Sequence, residues 1–369
     1  MTGGALDPLA LGQRVAHLLE SGRREATYKL ATLRALVEFC VEQPAVGSDA
    51  ELDVPFHALA HRVIAAYWQQ TRPYGSTGVL RQTNRGAGIV EWIAAARESP
   101  GLIGRSADAA RASGTTAYAR LAHRVADHIA RYPLAHLQHV SGAAATAWND
   151  DFLFDSAGLH KRMPKAAIVA MGGVRLRPGV AHGLAVLAPM LVPVVHLLWV
   201  DDVVRMNAHE LDVDPLPSFL FGADRTALTR LVGPLRALQD DRCFYCDDRF
   251  RARADVEVDH VLPWSRIPID GVANLVLADR RCNAAKSASM PDVGIFHRAL
   301  GRHSADLRSV GADTGTPVLH RRTLAAGLGL YQGLPDGSPL WLSIGTFSRH
   351  ARKSLDVVWR EFDVELGEQ

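Results

Sequence analysis

The sequence predicts an α+β fold, in which a mostly helical N-terminal domain precedes a small module of two strands and a helix. Apolar residues recur at helical spacing in the first third of the chain, as in the stripe of Leu30, Leu33, Leu36, Val37 and Cys40. Apolar and polar residues alternate at residues 256–259, which is the period of a strand. The predicted segments are a helical domain with a recognition or regulatory role at residues 1–140, a mixed connecting region at 141–240, the small module at 241–290 and a helical extension at 291–369.

The composition is that of a globular protein with more than one core. The chain has 369 residues, of which 48% are hydrophobic and 22% are charged. The formal net charge of +2 gives no strong field that would attract nucleic acid, so any basic patch must be local. The four cysteines are too few for a disulfide framework, and three of them fall in one short stretch, which indicates metal binding in a reducing compartment. Residues 1–16 lack the pattern of a signal peptide, and we expect a cytoplasmic protein.

The individual elements follow from apolar periodicity and from the residues that interrupt it. Helices are predicted at residues 9–41, 56–67, 89–97, 116–129, 225–239 and 348–362. Between residues 145 and 179 the apolar runs are short and are broken by Pro164, Gly172 and Gly173. These runs predict short strands at residues 152–154, 168–169 and 174–176.

Residues 183–200 form an apolar run that is nearly long enough to span a bilayer. Pro189, Pro193 and His196 interrupt the run, and Asp201 and Asp202 follow it directly. We therefore expect a buried core segment and no association with a membrane.

The residues that carry chemistry lie between Cys243 and Ser287. This stretch contains a CxxC pair, an alternating run that ends in Asp259–His260, a loop with Asn274, and a second apolar run at residues 275–277. Asp279 is a suitable N-cap for a short helix that would carry Cys282, Asn283 and Lys286. The predicted order is strand, loop, strand and helix.

These residue types suit the hydrolysis of a phosphodiester bond. The imidazole of His260 can take a proton from water near neutral pH, and so it is the predicted general base. Asp259 and the amide oxygen of Asn283 are hard donors that suit one Mg²⁺ or Mn²⁺ ion. Asn274 is expected to hold the loop by side-chain hydrogen bonds and to help orient the imidazole. The predicted phosphate contacts are Lys286, Arg280, Arg281 and Arg266.

The stretch resembles the HNH nuclease family. The match consists of Asp259–His260, Asn274 and Asn283, so the chain is similar to the variant with Asn in the last place. The resemblance covers about 45 residues and implies a ββα-metal module, DNA as the substrate and cleavage to 5′-phosphate and 3′-hydroxyl ends. By family analogy, it also implies a role in bacterial defence or restriction, with a homo-oligomer or a defence-system protein as partner.

The resemblance also implies a structural Zn²⁺ site. Many HNH modules have four cysteines, and Cys243, Cys246 and Cys282 match three of those places, with Asp279 in the fourth. Zinc accepts carboxylate oxygen, although such a site is uncommon. The alternative is that the cysteines pack as small buried hydrophobic residues. At the level of function, the alternative is a zinc-stabilised nucleic-acid-binding module without catalysis, and RNA or a nicked structure remains open as the substrate.

Overall fold

The structure is a computed structural model that describes residues 6–20, 25–84, 88–138, 151–207, 211–223, 228–251 and 256–355. The chain forms two compact units. The first unit contains residues 1–103 and 113–222, and the second contains residues 104–112 and 223–369. This division differs from the four predicted segments, because the predicted connecting region is divided between the two units at Gly222. The predicted α+β class is confirmed.

The helices, in chain order, are α1 (Pro8–Glu20), α2 (Tyr28–Val41), α3 (Phe56–Tyr67), α4 (Ile89–Arg97), α5 (Ala107–Ala112), α6 (Thr116–Arg131), α7 (Lys165–Met171), α8 (Val180–Met206), α9 (Leu216–Phe221), α10 (Val232–Leu238), α11 (Arg280–Lys286), α12 (Val293–Leu300), α13 (Ser304–Thr314) and α14 (His320–Gln332). The strands are β1 (Leu52–Pro55), β2 (Gly173–Leu176), β3 (Val256–His260), β4 (Leu275–Asp279), β5 (Pro339–Ser343) and β6 (Thr346–Arg349). They pair in order as three antiparallel two-stranded sheets.

The core of the first unit is built on α2, which is buried along almost its whole length and packs against α3 and α8. The helix predicted at residues 9–41 is in fact two helices, α1 and α2. The predicted helices at 56–67 and 89–97 match α3 and α4, and the helix predicted at 116–129 extends to Arg131.

Of the three predicted short strands, one is confirmed, as β2. The strand predicted at residues 168–169 is wrong, because these residues lie in α7. Pro164 starts this helix with a fixed φ, and Gly172 ends it in the left-handed region at φ 68°. At residues 152–154 the structure has no strand but a single bridge from Phe154 to Leu176.

The apolar run predicted as a core segment lies in α8, and it is buried on one face only. Leu184, Val195 and Trp199 are fully buried. Met190, Val194 and Leu197 lie on the opposite face and are 68%, 43% and 63% exposed. By length and composition, α8 is the one helix of the described residues that is long and apolar enough to cross a membrane. Its buried face packs against α1 and α2 within the unit.

The imidazole of His128 in α6 makes the stability of the first unit dependent on pH. It packs against Tyr28, Trp92 and Tyr132, at 5.4, 5.3 and 4.8 Å between ring centroids. Burial, and then the charges of two neighbouring arginines, lower the pKa of His128 from 6.5 to about 4.

Because the unfolded chain takes up this proton at higher pH than the folded chain, the stabilising contribution of neutral His128 is complete above pH 6.5 and is lost as the pH falls towards 4. The loss is on the order of 3 kcal/mol. We expect His128→Phe to reduce the fall in melting temperature between pH 6.5 and pH 4, measured by circular dichroism. An equal fall in both proteins would contradict this assignment.

The second unit has its core around β4 and the start of α11, where Leu275, Leu277 and Cys282 pack with Leu231 and Leu235. The predicted strand, loop, strand and helix are confirmed as β3, β4 and α11. Of the helix predicted at residues 225–239, the structure shows a 3₁₀ turn (Thr229–Leu231) followed by α10, and residues 225–227 lie outside the described part.

The predicted C-terminal helical extension contains α12, α13 and α14, but it also contains the β5–β6 hairpin. The helix predicted at residues 348–362 is wrong at its start, because Ser348 lies in β6 opposite Leu340. Gly345, at φ 73°, allows the turn that precedes β6. Residues 356–362 lie outside the described part.

Candidate active site and metal centre

The end of β3 and the helix α11 line one cavity of about 750 Å³ in the second unit. The polar side chains in its lining are Thr229, Arg236, Glu257, Asp259, His260 and Asn283. The structure therefore brings the predicted base and both predicted metal ligands to the same cavity.

His260 is held at one ring nitrogen by a carboxylate. Its Nε2 lies 2.8 Å from Oδ1 of Asp270, and both side chains are buried. Because an ionised carboxylate only accepts hydrogen bonds, Nε2 is the donor, and in the neutral imidazole Nδ1 carries the lone pair. Nδ1 makes no hydrogen bond within the described residues, and the ring packs against Trp264 at 5.0 Å between centroids. The arrangement leaves a proton-accepting nitrogen at the cavity.

Asp259 is fixed through one of its two carboxylate oxygens. Oδ2 accepts a hydrogen bond from the Tyr245 hydroxyl at 2.6 Å and lies 3.0 Å from Nζ of Lys286. Burial, and then the charge of Asp259, raise the pKa of Tyr245 well above 10, so the phenol stays protonated and donates. Oδ1 has no hydrogen-bond partner among the described residues. Asp259 can therefore offer one oxygen to a metal ion.

The structure corrects the role predicted for Lys286. Its side chain is fully buried, and Nζ also donates to the backbone oxygen of His260 at 2.7 Å. A buried ammonium that holds Asp259 and the end of β3 is not a phosphate contact.

We expect Lys286→Met to lower the free energy of unfolding by about 3–5 kcal/mol, because the buried charge of Asp259 would lose its cation. Arg281→Met is a matched control, since Arg281 is exposed on the same helix, and we expect a change within about 0.5 kcal/mol. Urea unfolding of the two variants tests this. Equal losses would contradict the assigned role of Lys286.

Asn283 is oriented by Glu257, to whose carboxylate its Nδ2 donates at 2.5 Å. Its amide oxygen has no hydrogen-bond partner in the described ranges, so it is available as a metal ligand. Glu257 also pairs with Arg280 at 3.3 Å. Of the other predicted phosphate contacts, Arg281 is exposed and Arg266 is half-buried.

Asn274 closes the loop between the two strands. It is fully buried, its Oδ1 accepts from the backbone N–H of Leu262 at 2.8 Å, and its Nδ2 donates to the carbonyl oxygens of Leu262 and Ile269. The imidazole of His260, however, donates its hydrogen bond to Asp270 and not to Asn274.

Cys243, Cys246, Cys282 and Asp279 form a compact cluster, with ligand atoms all within 4.8 Å of one another. Asp279 caps α11 through Oδ1, which accepts from the N–H of Cys282 at 2.9 Å. Its Oδ2 lies 3.3 Å from the Cys246 sulfur. Burial opposes the ionisation of Asp279, but hydrogen bonds from Cys282 and the thiols outweigh it and lower its pKa to about 2.

This donor set fits a structural zinc ion, because Zn²⁺ takes four thiolate, imidazole or carboxylate ligands in structural sites. The four cysteines of the chain are free of disulfides. Packing as small hydrophobic residues does not account for Cys246, which is exposed.

Two segments of the chain match known families. Residues 8–216, more than half of the chain, match the family described as a domain of unknown function, DUF8808. The chain belongs to the DUF8808 family. Residues 243–292 match the family described as HNH endonuclease, which confirms the predicted resemblance. No curated protein and no solved structure matches the chain.

The HNH match contains the cysteine cluster, both strands of the site and α11. Three residues that contact the predicted site residues of this HNH module were not found from the sequence: Asp270, Tyr245 and Glu257. Asp270 precedes Gly271 and has the pattern of a turn, and Tyr245 lies between two cysteines. Only Glu257 had a usable signal, since it lies two residues before Asp259 on the same face of β3.

Proposed function

We propose that this DUF8808-family protein is a metal-dependent HNH endonuclease that hydrolyses the phosphodiester bonds of DNA. One observation carries the proposal. The imidazole of His260 has one nitrogen held by Asp270 and the other without a hydrogen bond to any described residue, and it shares a cavity with Asp259 and Asn283. A binding module has no need for a buried histidine–carboxylate pair of this kind, which supports an enzyme over a non-catalytic zinc module.

Asp259 and Asn283 are the residues that would hold a single Mg²⁺ or Mn²⁺ ion, through the oxygens that accept no hydrogen bond from the described part of the chain. Both oxygens are hard donors on side chains fixed by other contacts, to Tyr245, Lys286 and Glu257. When bound, such an ion supplies positive charge that stabilises the phosphoryl and leaving oxygens.

His260 accepts a proton from water at Nδ1, while Nε2–H remains hydrogen-bonded to Asp270 and the carboxylate stabilises the imidazolium that forms. The oxygen of this water bonds to phosphorus in line with the 3′ oxygen. The bond from phosphorus to the 3′ oxygen breaks, and that oxygen takes a proton from solvent. The products are a 5′-phosphate and a 3′-hydroxyl. Arg280, Arg281 and Arg266 are the proposed phosphate contacts of the flanking nucleotides.

The biological setting that we propose is bacterial defence or restriction in the cytoplasm. The support is the pairing of a small HNH module with a much larger helical unit of the DUF8808 family, which would read a DNA feature or contact a partner protein. A second copy of the chain is a further candidate partner, because two related modules are needed to cut both strands of a palindrome.

A plasmid assay tests the activity. Supercoiled DNA, with and without base modification, is incubated with the protein in Mg²⁺, in Mn²⁺ and in EDTA, with single-stranded RNA as a parallel substrate. We expect nicked or linear DNA with 5′-phosphate ends in Mg²⁺ or Mn²⁺ and none in EDTA. If the protein binds DNA but cleaves none of these DNA substrates, it is instead a non-catalytic module. Cleavage of RNA alone would show that the substrate is RNA and not DNA.

A further inference from the structure

The carboxylate that holds His260 is itself held by a residue far away in the sequence. Oδ2 of Asp108 accepts a hydrogen bond from the backbone N–H of Asp270 at 3.0 Å. Oδ1 of the same side chain accepts from Nη1 of Arg322 at 2.8 Å. Asp108 lies in α5, which belongs to the second unit although residues 8–216 match the DUF8808 family. Neither Asp108 nor Arg322 lies within the HNH match.

The backbone that follows Asp270 is fixed on another side by the segment before α14. The N–H groups of Val272 and Ala273 donate to the carbonyl oxygens of Pro317 and Val318, at 2.9 and 3.0 Å. Gly271 lies so close to this segment that a Cβ there would be 2.6 Å from the Cβ of Leu319. The backbone of Gly271 and the segment before α14 therefore approach more closely than any residue with a side chain at position 271 would allow.

Leu319 adopts a left-handed conformation at φ 55°, directly before α14, the helix that carries Arg322. This region is unfavourable for a residue with a β-carbon, and such a conformation persists where the surrounding contacts require it. The segment at residues 317–322 thus fixes the loop both through its backbone and through Arg322.

The chain of contacts is also largely removed from solvent. The side chains of Asp108 and Arg322 are 11% and 16% exposed, and those of His260 and Asp270 are 7% and 8% exposed. The negative charges of two buried carboxylates that lie near each other must be balanced by positive charge. The guanidinium of Arg322 supplies this positive charge at Asp108. A contact in this setting restricts position more than an exposed ion pair does.

We propose that Asp108 and Arg322 are positioning residues for the proposed base, His260, and that they act through Asp270. Arg322 orients Asp108, Asp108 fixes the backbone of Asp270, and the Asp270 side chain sets the orientation and the proton position of the imidazole. The inference rests on the proposed function, and it assigns to the α5 segment a direct part in building the nuclease site.

Kinetics of the full-length protein test the proposal, with Asp108→Ala, Asp270→Ala and the double variant. We expect kcat for DNA cleavage to fall about 100-fold in Asp270→Ala and about 10-fold in Asp108→Ala, with KM for DNA unchanged. In the Asp270→Ala background, Asp108→Ala should lower kcat by less than about 2-fold, because Asp108 acts on His260 only through Asp270. Asp108→Asn keeps an oxygen acceptor and should recover part of the rate. Asp313→Ala, at an exposed carboxylate of α13, is the control.

A merely structural role for Asp108 would give a different pattern. Asp108→Ala would then lower kcat by a similar factor in the wild-type and Asp270→Ala backgrounds, and the fall in kcat would parallel the fall in melting temperature. That result would overturn the proposal.

A second measurement does not depend on cleavage. In protein labelled with ¹⁵N-histidine, we expect ring shifts of an Nε2–H tautomer for His260 at fixed pH, and a mixture of tautomers in Asp108→Ala. Hydrogen exchange at the Asp270 amide should become faster in the same variant. If the wild-type protein cuts no DNA but these shifts change as expected, the proposed activity fails and the positioning role stands. An unchanged tautomer and unchanged exchange would refute the positioning role, whatever the activity.

Discussion

Replacing His260 with alanine is expected to lower the rate of DNA cleavage by about 10³-fold, which is the largest effect on activity that we predict. The imidazole is the one group at the cavity that combines a fixed orientation, through Asp270, with a ring nitrogen that makes no hydrogen bond among the described residues. Without it, water must lose its proton to solvent. The rate is measured under single-turnover conditions, so that product release does not hide the chemical step.

The matched control for this prediction is His303→Ala. His303 is 75% exposed in the same unit and lies outside the cavity. We expect it to cut DNA at the wild-type rate and to melt like the wild type. His260→Ala should melt at a lower temperature, because the buried carboxylate of Asp270 loses its hydrogen bond, but we expect it to remain folded and to bind DNA. If His260→Ala still cuts DNA at the wild-type rate, His260 is not the general base. A similar fall in the cleavage rate of His303→Ala would indicate an effect other than catalysis.

Loss of the zinc ion that we expect at the cysteine cluster should have the largest effect on stability. Structural zinc contributes on the order of 10 kcal/mol in small modules, because the ligands are brought together only in the folded state. Cys243 and Cys282 lie in the core of the second unit, and Asp279 joins the cluster to the start of α11. Cys243→Ala is therefore expected to lose the metal and to abolish the cooperative unfolding of the second unit.

The measurement is the metal content of the purified protein together with thermal unfolding. We expect one equivalent of zinc in the wild type and none in Cys243→Ala. Cys40→Ala is the matched control, because Cys40 is equally buried but belongs to the first unit, and this variant should keep its zinc. A wild type without zinc, or a Cys243→Ala variant that keeps both zinc and stability, would show that the cysteines serve as packing residues.

The local structure of the site could be predicted because local patterns determine it. The alternation of apolar and polar residues at 256–259 predicts β3. The position of Asp279 directly before α11 predicts the N-cap that its side chain makes. The register of β3 against β4 then places Asp259 and His260 opposite Val276 and Leu275. The same reasoning failed at residues 168–169, where β-branched residues favoured a strand but Pro164 and Gly172 define a helix.

The contacts that position the site could not be predicted, because they join distant parts of the chain. Lys286 was expected at a phosphate because it is one of the cations nearest to the predicted site in the sequence, but packing of α11 on β3 buries it beside Asp259. The hydrogen bond between Asp108 and Asp270 spans 162 residues. No periodicity or spacing within either segment indicates such a contact.

The most direct test of the account is the position of a catalytic metal ion relative to His260. Crystals of the protein soaked in Mn²⁺ would be measured by anomalous diffraction, with Asp259→Asn as the comparison. We predict a peak between the side chains of Asp259 and Asn283 that is lost in Asp259→Asn. A peak at the cysteine cluster alone, with none at Asp259 and Asn283, would contradict the proposed mechanism.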